Sequence, residues 1–224
     1  MSASTARYVD VLSLPGVPVT FGAALVGRAA YALVFLPLFY SVAEATGSVA
    51  SGGAAVAAYG ATASLFAPVR AWVIDRFGAR PVLAVLTLLF AVGLTTLGLV
   101  SCLADSGVAL VVLAGVAGAF APPLGPTMRV AWSELAPDGA WLRKGLSLDA
   151  VVEELLYLLG PAVAGLGLAV MEPGIALFVP AALVTAGGLA LVATPTIGAM
   201  GPRGCSAHSR VPLLLDRRFA RSLL

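Results

Sequence analysis

The chain has 224 residues, 60% of them hydrophobic and 11% charged, with a formal net charge of +2 and a mean hydropathy of +1.01. Soluble domains carry about 25% charged residues, so a globule in water is excluded and lipid is the solvent this composition fits. The basic residues are scattered among hydrophobic runs instead of clustered on one domain, so the net charge gives no sign of a nucleic-acid partner and none is expected.

Residues 1–16 form a short N-terminal segment carrying Arg7, expected at the cytoplasmic interface. A cleavable signal peptide fits poorly, because the apolar run from Val17 to Ala43 outlasts an h-region of about 7–15 residues and contains Arg28. Six segments have the roughly 20 apolar residues that a helix needs to cross the hydrocarbon. They are Val17–Ala43, Gly47–Val69, Pro81–Leu103, Gly107–Val130, Leu146–Val170 and Gly174–Pro195. Backbone groups must be satisfied internally in lipid, and the period-2 alternation of a barrel is absent, so every span is expected to be helical. Residues 17–195 then make an all-α, six-span integral membrane bundle, and residues 196–224 make a basic tail.

Span one contains Arg28, the one basic residue well inside an apolar run. An intramembrane arginine is costly and needs a partner or a wet cavity. Span two places Ser48, Gly52, Gly60 and Ser64 on one stripe, a pattern that favours close helix contact. Between spans two and three comes "WVIDRFGARPVL", where Asp75, Arg76, Gly78 and Arg80 interrupt the oily sequence and Pro81 opens the next helix. Span four ends in "AFAPPLGPTMRVAW"; Pro122, Pro123 and Pro126 remove backbone donors and should break or end the helix there. Trp132 and Trp141 fit interfacial anchors.

Span five reads "LDAVVEELLYLLGP" and supplies Asp149, Glu153 and Glu154 at a depth similar to that of Arg28. The expected pairing is Arg28 with Glu153 or Glu154. Asp149 and Glu153, four apart, share a face. They read either as a cavity-facing acidic site for a proton or a cationic group, or as solvated residues at the cytoplasmic mouth. Gly160, Pro161 and Gly165 follow as helix-packing and kink positions, together with Pro122 and Pro123 in span four.

Orientation follows from the basic residues. Arg7, then Arg70, Arg76 and Arg80, then Arg129, Arg143 and Lys144, then Arg203, Arg210, Arg217, Arg218 and Arg221 fall on one side. The other three connections carry Glu44, Asp105 and Glu172 and no Lys or Arg. The positive-inside rule makes the basic side the cytoplasm and puts both termini there. Cys102 and Cys205 then lie on opposite faces and are free thiols.

The segment "AWVIDRFGARPVL" resembles the loop motif of the major facilitator superfamily of secondary transporters, Gly-x-x-x-Asp-Arg-x-Gly-x-Arg with an apolar residue three further on. Asp75, Arg76, Gly78, Arg80 and Leu83 match, and Ala71 stands where the family usually has Gly. "LLGPAVAG", Leu158 to Gly165, is similar to the Gly-Pro element in the fifth span of many such transporters, and the order of segments is similar to actinobacterial members. The resemblance implies an amino-terminal six-helix half with an inverted 3+3 repeat, in the cell (inner) membrane. It further implies alternating access for a small-molecule substrate, with the charged loop latching the outward-open form. Partners on this reading are the lipid bilayer and a second six-helix half or another copy. The chain is then a truncated form, one partner of a split transporter, or a fragment without transport activity. No cofactor and no metal are implied. An enzyme is not expected, since His208 lies in the tail and Lys144 is in no phosphate loop. The rival is a six-span membrane subunit energised by a separate ATPase.

Overall fold

The computed structural model describes residues 8–103 and 106–201. Arg7, Asp105, Arg203, Cys205, His208, Arg210, Arg217, Arg218 and Arg221 lie outside the described residues, and with them most of the basic tail. The described residues are helical throughout, with no strand among them. A short α1 (Tyr8–Leu12) precedes α2 (Val17–Thr46), α3 (Val49–Leu65), α4 (Ala67–Phe77) and α5 (Ala79–Leu103). Then come α6 (Gly107–Ala119), α7 (Leu124–Leu135), α8 (Gly139–Leu168), α9 (Pro173–Ala176), α10 (Phe178–Ala193) and α11 (Pro195–Ala199). By length and composition five stretches can cross a membrane: α2, α5, α6–α7, α8 and α9–α10. The bent pair α3–α4 makes the sixth.

The ends of these helices follow their local chemistry. Gly47, at φ 63°, supplies the left-handed residue that closes α2. Ser48 then caps α3 by accepting from the Ser51 N–H at 3.3 Å. Asp138 caps α8, its carboxylate accepting from the Ala140 and Trp141 amides at 2.8 and 3.1 Å. This cap starts α8 at Gly139, well before the expected Leu146. Pro161 sits inside α8 without ending it.

Two spans are interrupted. Span two does not stop at Val69: it bends by 42° at Phe66 and continues as α4 to Phe77. Pro68, in the first turn of α4, lacks the N–H that would carry α3 straight on. Span four is broken between Ala119 and Leu124, where Pro122 and Pro123 have no donor to give.

At the centre of the bundle α2 packs against α10, α8 and α3, while α3 packs on α6 and α5 on α10 and α6. Small residues set these approaches. Gly27 of α2 meets Gly187 of α10 backbone to backbone, and Gly118 of α6 lies on the Tyr59 carbonyl of α3. Gly52 sits against Phe39 of α2, but Gly60 faces open space, so the span-two stripe does not pack as one unit. Gly160 of α8 lies against Ala32 of α2, whereas Gly165 and Gly167 have nothing within reach of a side chain. The packing role expected of Gly160 and Gly165 together therefore falls to Gly160 within this chain.

A Cβ at Gly160 would stand 2.6 Å from the Ala32 carbonyl oxygen, which is backbone and cannot move aside cheaply. Gly160→Val should therefore lower stability by about 1–3 kcal/mol, while Gly165→Val leaves it within roughly 0.5 kcal/mol. Thermal unfolding of the two variants in detergent micelles, followed by size-exclusion fluorescence, makes the comparison.

Candidate functional site

The interior of the bundle holds a charge cluster built from α2, α7 and α8. Arg28 lies roughly 16 Å along α2 from Val17, and Asp149 about 15 Å along α8 from Gly139, taking 1.5 Å per residue. The two meet. Arg28 Nη1 donates to Asp149 Oδ1 at 2.5 Å, with side-chain exposures of 3% and 2%. Arg28 Nη2 stands 3.3 Å from Glu153 Oε2, and Arg129 Nη2 of α7 donates to the same oxygen at 2.9 Å. Two guanidinium groups thus face two carboxylates, with Arg28 and Asp149 buried and Arg129, 56% exposed, at the outer edge of the cluster.

The sequence pointed to Glu153 or Glu154 as the partner of Arg28, yet the shortest contact is with Asp149. The reason is helical phase. Asp149 and Glu153 are four residues apart and both turn toward α2, while Glu154 is one residue, about 100°, further round. Glu154 is exposed, with no hydrogen-bond or ion-pair partner among the described residues. Arg28 Nε, though buried, also lacks a hydrogen-bond partner there.

Beside this cluster the broken fourth span is held from α2. Tyr31, one turn beyond Arg28, donates its hydroxyl to the Pro122 carbonyl at 2.5 Å. Pro123 accepts from the Thr127 hydroxyl at 2.8 Å, so α7 restarts with its own side chain closing the break. Trp132 is no interfacial anchor. It is fully buried, 5.5 Å from the Phe21 ring centroid, with Gly145 of α8 leaving room for its indole.

The charged turn joins α4 to α5 at one end of the bundle. A single residue makes the reversal: Gly78, at φ 90° and ψ 152°, a conformation essentially closed to any side chain. Asp75 and Arg76 belong to the last turn of α4 and Arg80 to the first turn of α5; all three are exposed. None has an ion-pair or hydrogen-bond partner among the described residues. Asp75 borders a small cleft with Thr127 and Val130 of α7 and Met200, and Arg76 lies 5.8 Å from the Phe77 ring centroid. Ala71, where the motif calls for Gly, is exposed on α4.

A profile of the Major Facilitator Superfamily matches residues 19–204, most of the chain. The chain belongs to the Major Facilitator Superfamily. No individual curated protein and no solved structure gives a match. Membership makes it a multi-pass transmembrane transporter, seated in a bilayer and acting on a small substrate. Within this bundle, the cluster holds charged side chains in the interior and the turn holds them exposed at one end.

Two arginines fall elsewhere than the sequence suggests. Arg70 was counted with the basic residues of the turn, yet it lies inside α4, 8% exposed, and donates to backbone carbonyls of α3 and α6. Arg129, counted likewise, is inside α7 and bonded to Glu153. The signal for Arg70 is Pro68, which opens a second helix in the first turns of which Arg70 is buried.

Removing one member of a buried ion pair costs about 3–5 kcal/mol because the other is left uncompensated. Arg28→Gln and Asp149→Asn should each destabilise the protein strongly, and the double variant should lose far less than their sum. Glu153→Gln should be milder, its carboxylate being 18% exposed. Unfolding in mixed micelles measures the cycle; additivity of Arg28 and Asp149 to within about 0.5 kcal/mol would sink the coupling.

Proposed function

We propose that this chain is one six-span bundle of a secondary active transporter that carries a small solute by alternating access, rocking against a second bundle around a site near the bilayer centre. The observation that carries this reading is the charged turn. Asp75, Arg76 and Arg80 stand exposed about the Gly78 reversal, with no hydrogen-bond or ion-pair partner among the described residues. Charges in that state can form charge-assisted bonds with a neighbouring helix in one conformation and release them in another. Asp75, Arg76, Gly78 and Arg80 are then the latch of one of the two states.

The second bundle is a second six-helix half or another copy of the chain. The free face of α8 supports its presence. Only 11% of the residues in the most apolar 18-residue stretch of α8 are buried, against 44–50% in the other four long spans. That face also bears Glu154 and Gly165, eleven residues apart and so nearly in line along the helix. A bare carboxylate suits a wet cavity or a partner helix far better than lipid. Asp149 and Glu153 are engaged by Arg28 and Arg129, so Glu154 is the carboxylate free to take a proton or a cationic group. Gly160 packs the bundle, and Gly165 and Pro161 face the partner. The interruption at Pro122 and Pro123 lines the path.

The positive-inside distribution supports both termini in the cytoplasm of a cell with this protein in its inner membrane, with residues 1–16 and 196–224 on either side of the 17–195 bundle. Arg76→Cys, in a background where Cys102 and Cys205 are Ser, should react with a membrane-impermeant maleimide in inside-out vesicles and stay unlabelled in intact cells. Labelling in intact cells would overturn the orientation and the latch with it. A deletion strain screened on toxic compounds and sugars should be complemented by the parent protein and at least tenfold less well, by about 1.4 kcal/mol in effective barrier, by Asp75→Asn.

A further inference from the structure

Both interrupted spans leave carbonyls behind. The last carbonyls of α3 and of α6 have no partner in a further helical turn, and each helix end carries a negative partial charge of about half an elementary unit. Short backbone bonds take some of them, as from Phe66 to Thr62 and from Ala121 to Gly118, but none goes to Ala63 or Ala119 among the described residues. In hydrocarbon no water is available to satisfy them. One side chain reaches both ends. Arg70 Nη2 donates to the Ala63 carbonyl of α3 at 2.5 Å. Its Nη1 donates to the Ala119 carbonyl of α6 at 2.9 Å and to that of Gly118 at 3.4 Å. Arg70 is 8% exposed, and no carboxylate pairs with it among the described residues.

The charge balance is unusual for a buried arginine. Where Arg28 has Asp149 and Glu153, Arg70 has only the ends of two helices. Two half-charges of one sign facing a full charge of the other come to rough neutrality without an acid. The planar guanidinium presents separate nitrogens in a fixed fork, so it can serve two acceptors that lie on different helices. Arg70 itself belongs to neither α3 nor α6. It sits in the first turns of α4, the segment that bends away by 42° and ends in Asp75 and Arg76.

We propose that Arg70 is a positioning residue that clamps the angle of α4 by capping the C-termini of α3 and α6 together, and so aims the charged turn. Without the clamp, α4 is joined to the bundle by Phe66 at one end and the Gly78 reversal at the other, with only modest packing on α5. With it, α4 keeps one fixed direction relative to the α3–α6 pair. The role differs from that of the turn itself: the hydrogen bonds of Arg70 go to backbone carbonyls of this chain and need no second bundle.

Spin-label distances test this in liposomes, in the background where Cys102 and Cys205 are Ser. One pair sits at Phe77→Cys, the exposed tip of α4, and Val112→Cys, exposed on α6. A control pair sits at Val19→Cys on α2 and Val179→Cys on α10, both exposed. The parent should give one narrow distance peak for each pair. Arg70→Met, which keeps length but no donors, should lose the single Phe77–Val112 peak while the control peak stays. Arg70→Lys should lose it as well, since one ammonium cannot cap two helix ends; this variant also carries the comparison if Arg70→Met fails to accumulate. An unchanged Phe77–Val112 peak in Arg70→Met would overturn the clamp. So would equal broadening of both pairs, which means general loosening, or parent-like behaviour of Arg70→Lys, which means that charge alone suffices.

Discussion

Hydrocarbon gives a backbone carbonyl nothing to bond to, and the polar interior of this bundle is arranged around that constraint. Unbroken helices meet it by themselves. At the breaks, side chains take over: Arg70 caps α3 and α6, Tyr31 serves Pro122, and the Thr127 hydroxyl serves Pro123. Thr62 does the same between helices, its hydroxyl donating to the Gly115 carbonyl of α6 at 2.7 Å. Arg70 and Tyr31 reach the interruptions from other elements and tie the broken segments into the bundle, while Thr127 bonds the carbonyl that opens its own helix.

Charge obeys the same accounting. An arginine inside lipid is tolerable when its field is cancelled close by. Arg28 is cancelled by two carboxylates on α8, one of which also answers Arg129 on α7. The cluster therefore staples α8, the least covered of the long spans, to the hub helix α2. Further along the same two helices, Gly160 fits against Ala32 and lets the backbones approach closely. The contact and the charge pair are two parts of one attachment.

Other charged side chains stand exposed without a partner among the described residues, notably Glu154 on the open face of α8 and Asp75, Arg76 and Arg80 of the turn. In a member of the Major Facilitator Superfamily these exposed charges are natural places for binding and switching, because interactions not used up within the bundle are available to change with its state. The rigid interior and the uncommitted periphery divide the labour.

The lipid-embedded, all-helical, six-span character was legible in composition and run length alone, because the energy of transferring apolar and polar groups is a property of the residues. The glycine of the charged turn was legible for a similar reason, since a one-residue reversal needs a conformation that side chains forbid. The proline cluster announced the break in span four. Pro68 announced the bend in span two too weakly to be heard against continuous hydrophobicity, and Arg70 was consequently placed in a loop. Which acid on α8 meets Arg28 could not be told from depth, since Asp149, Glu153 and Glu154 lie within about two turns of one helix. Only the rotation of α8 within the bundle turned Asp149 inward and Glu154 out. Sequence alone determined the solvent and the number of rods, because those are sums over residues; tertiary structure decided the partners, because a partner depends on the phase and tilt at which two rods meet.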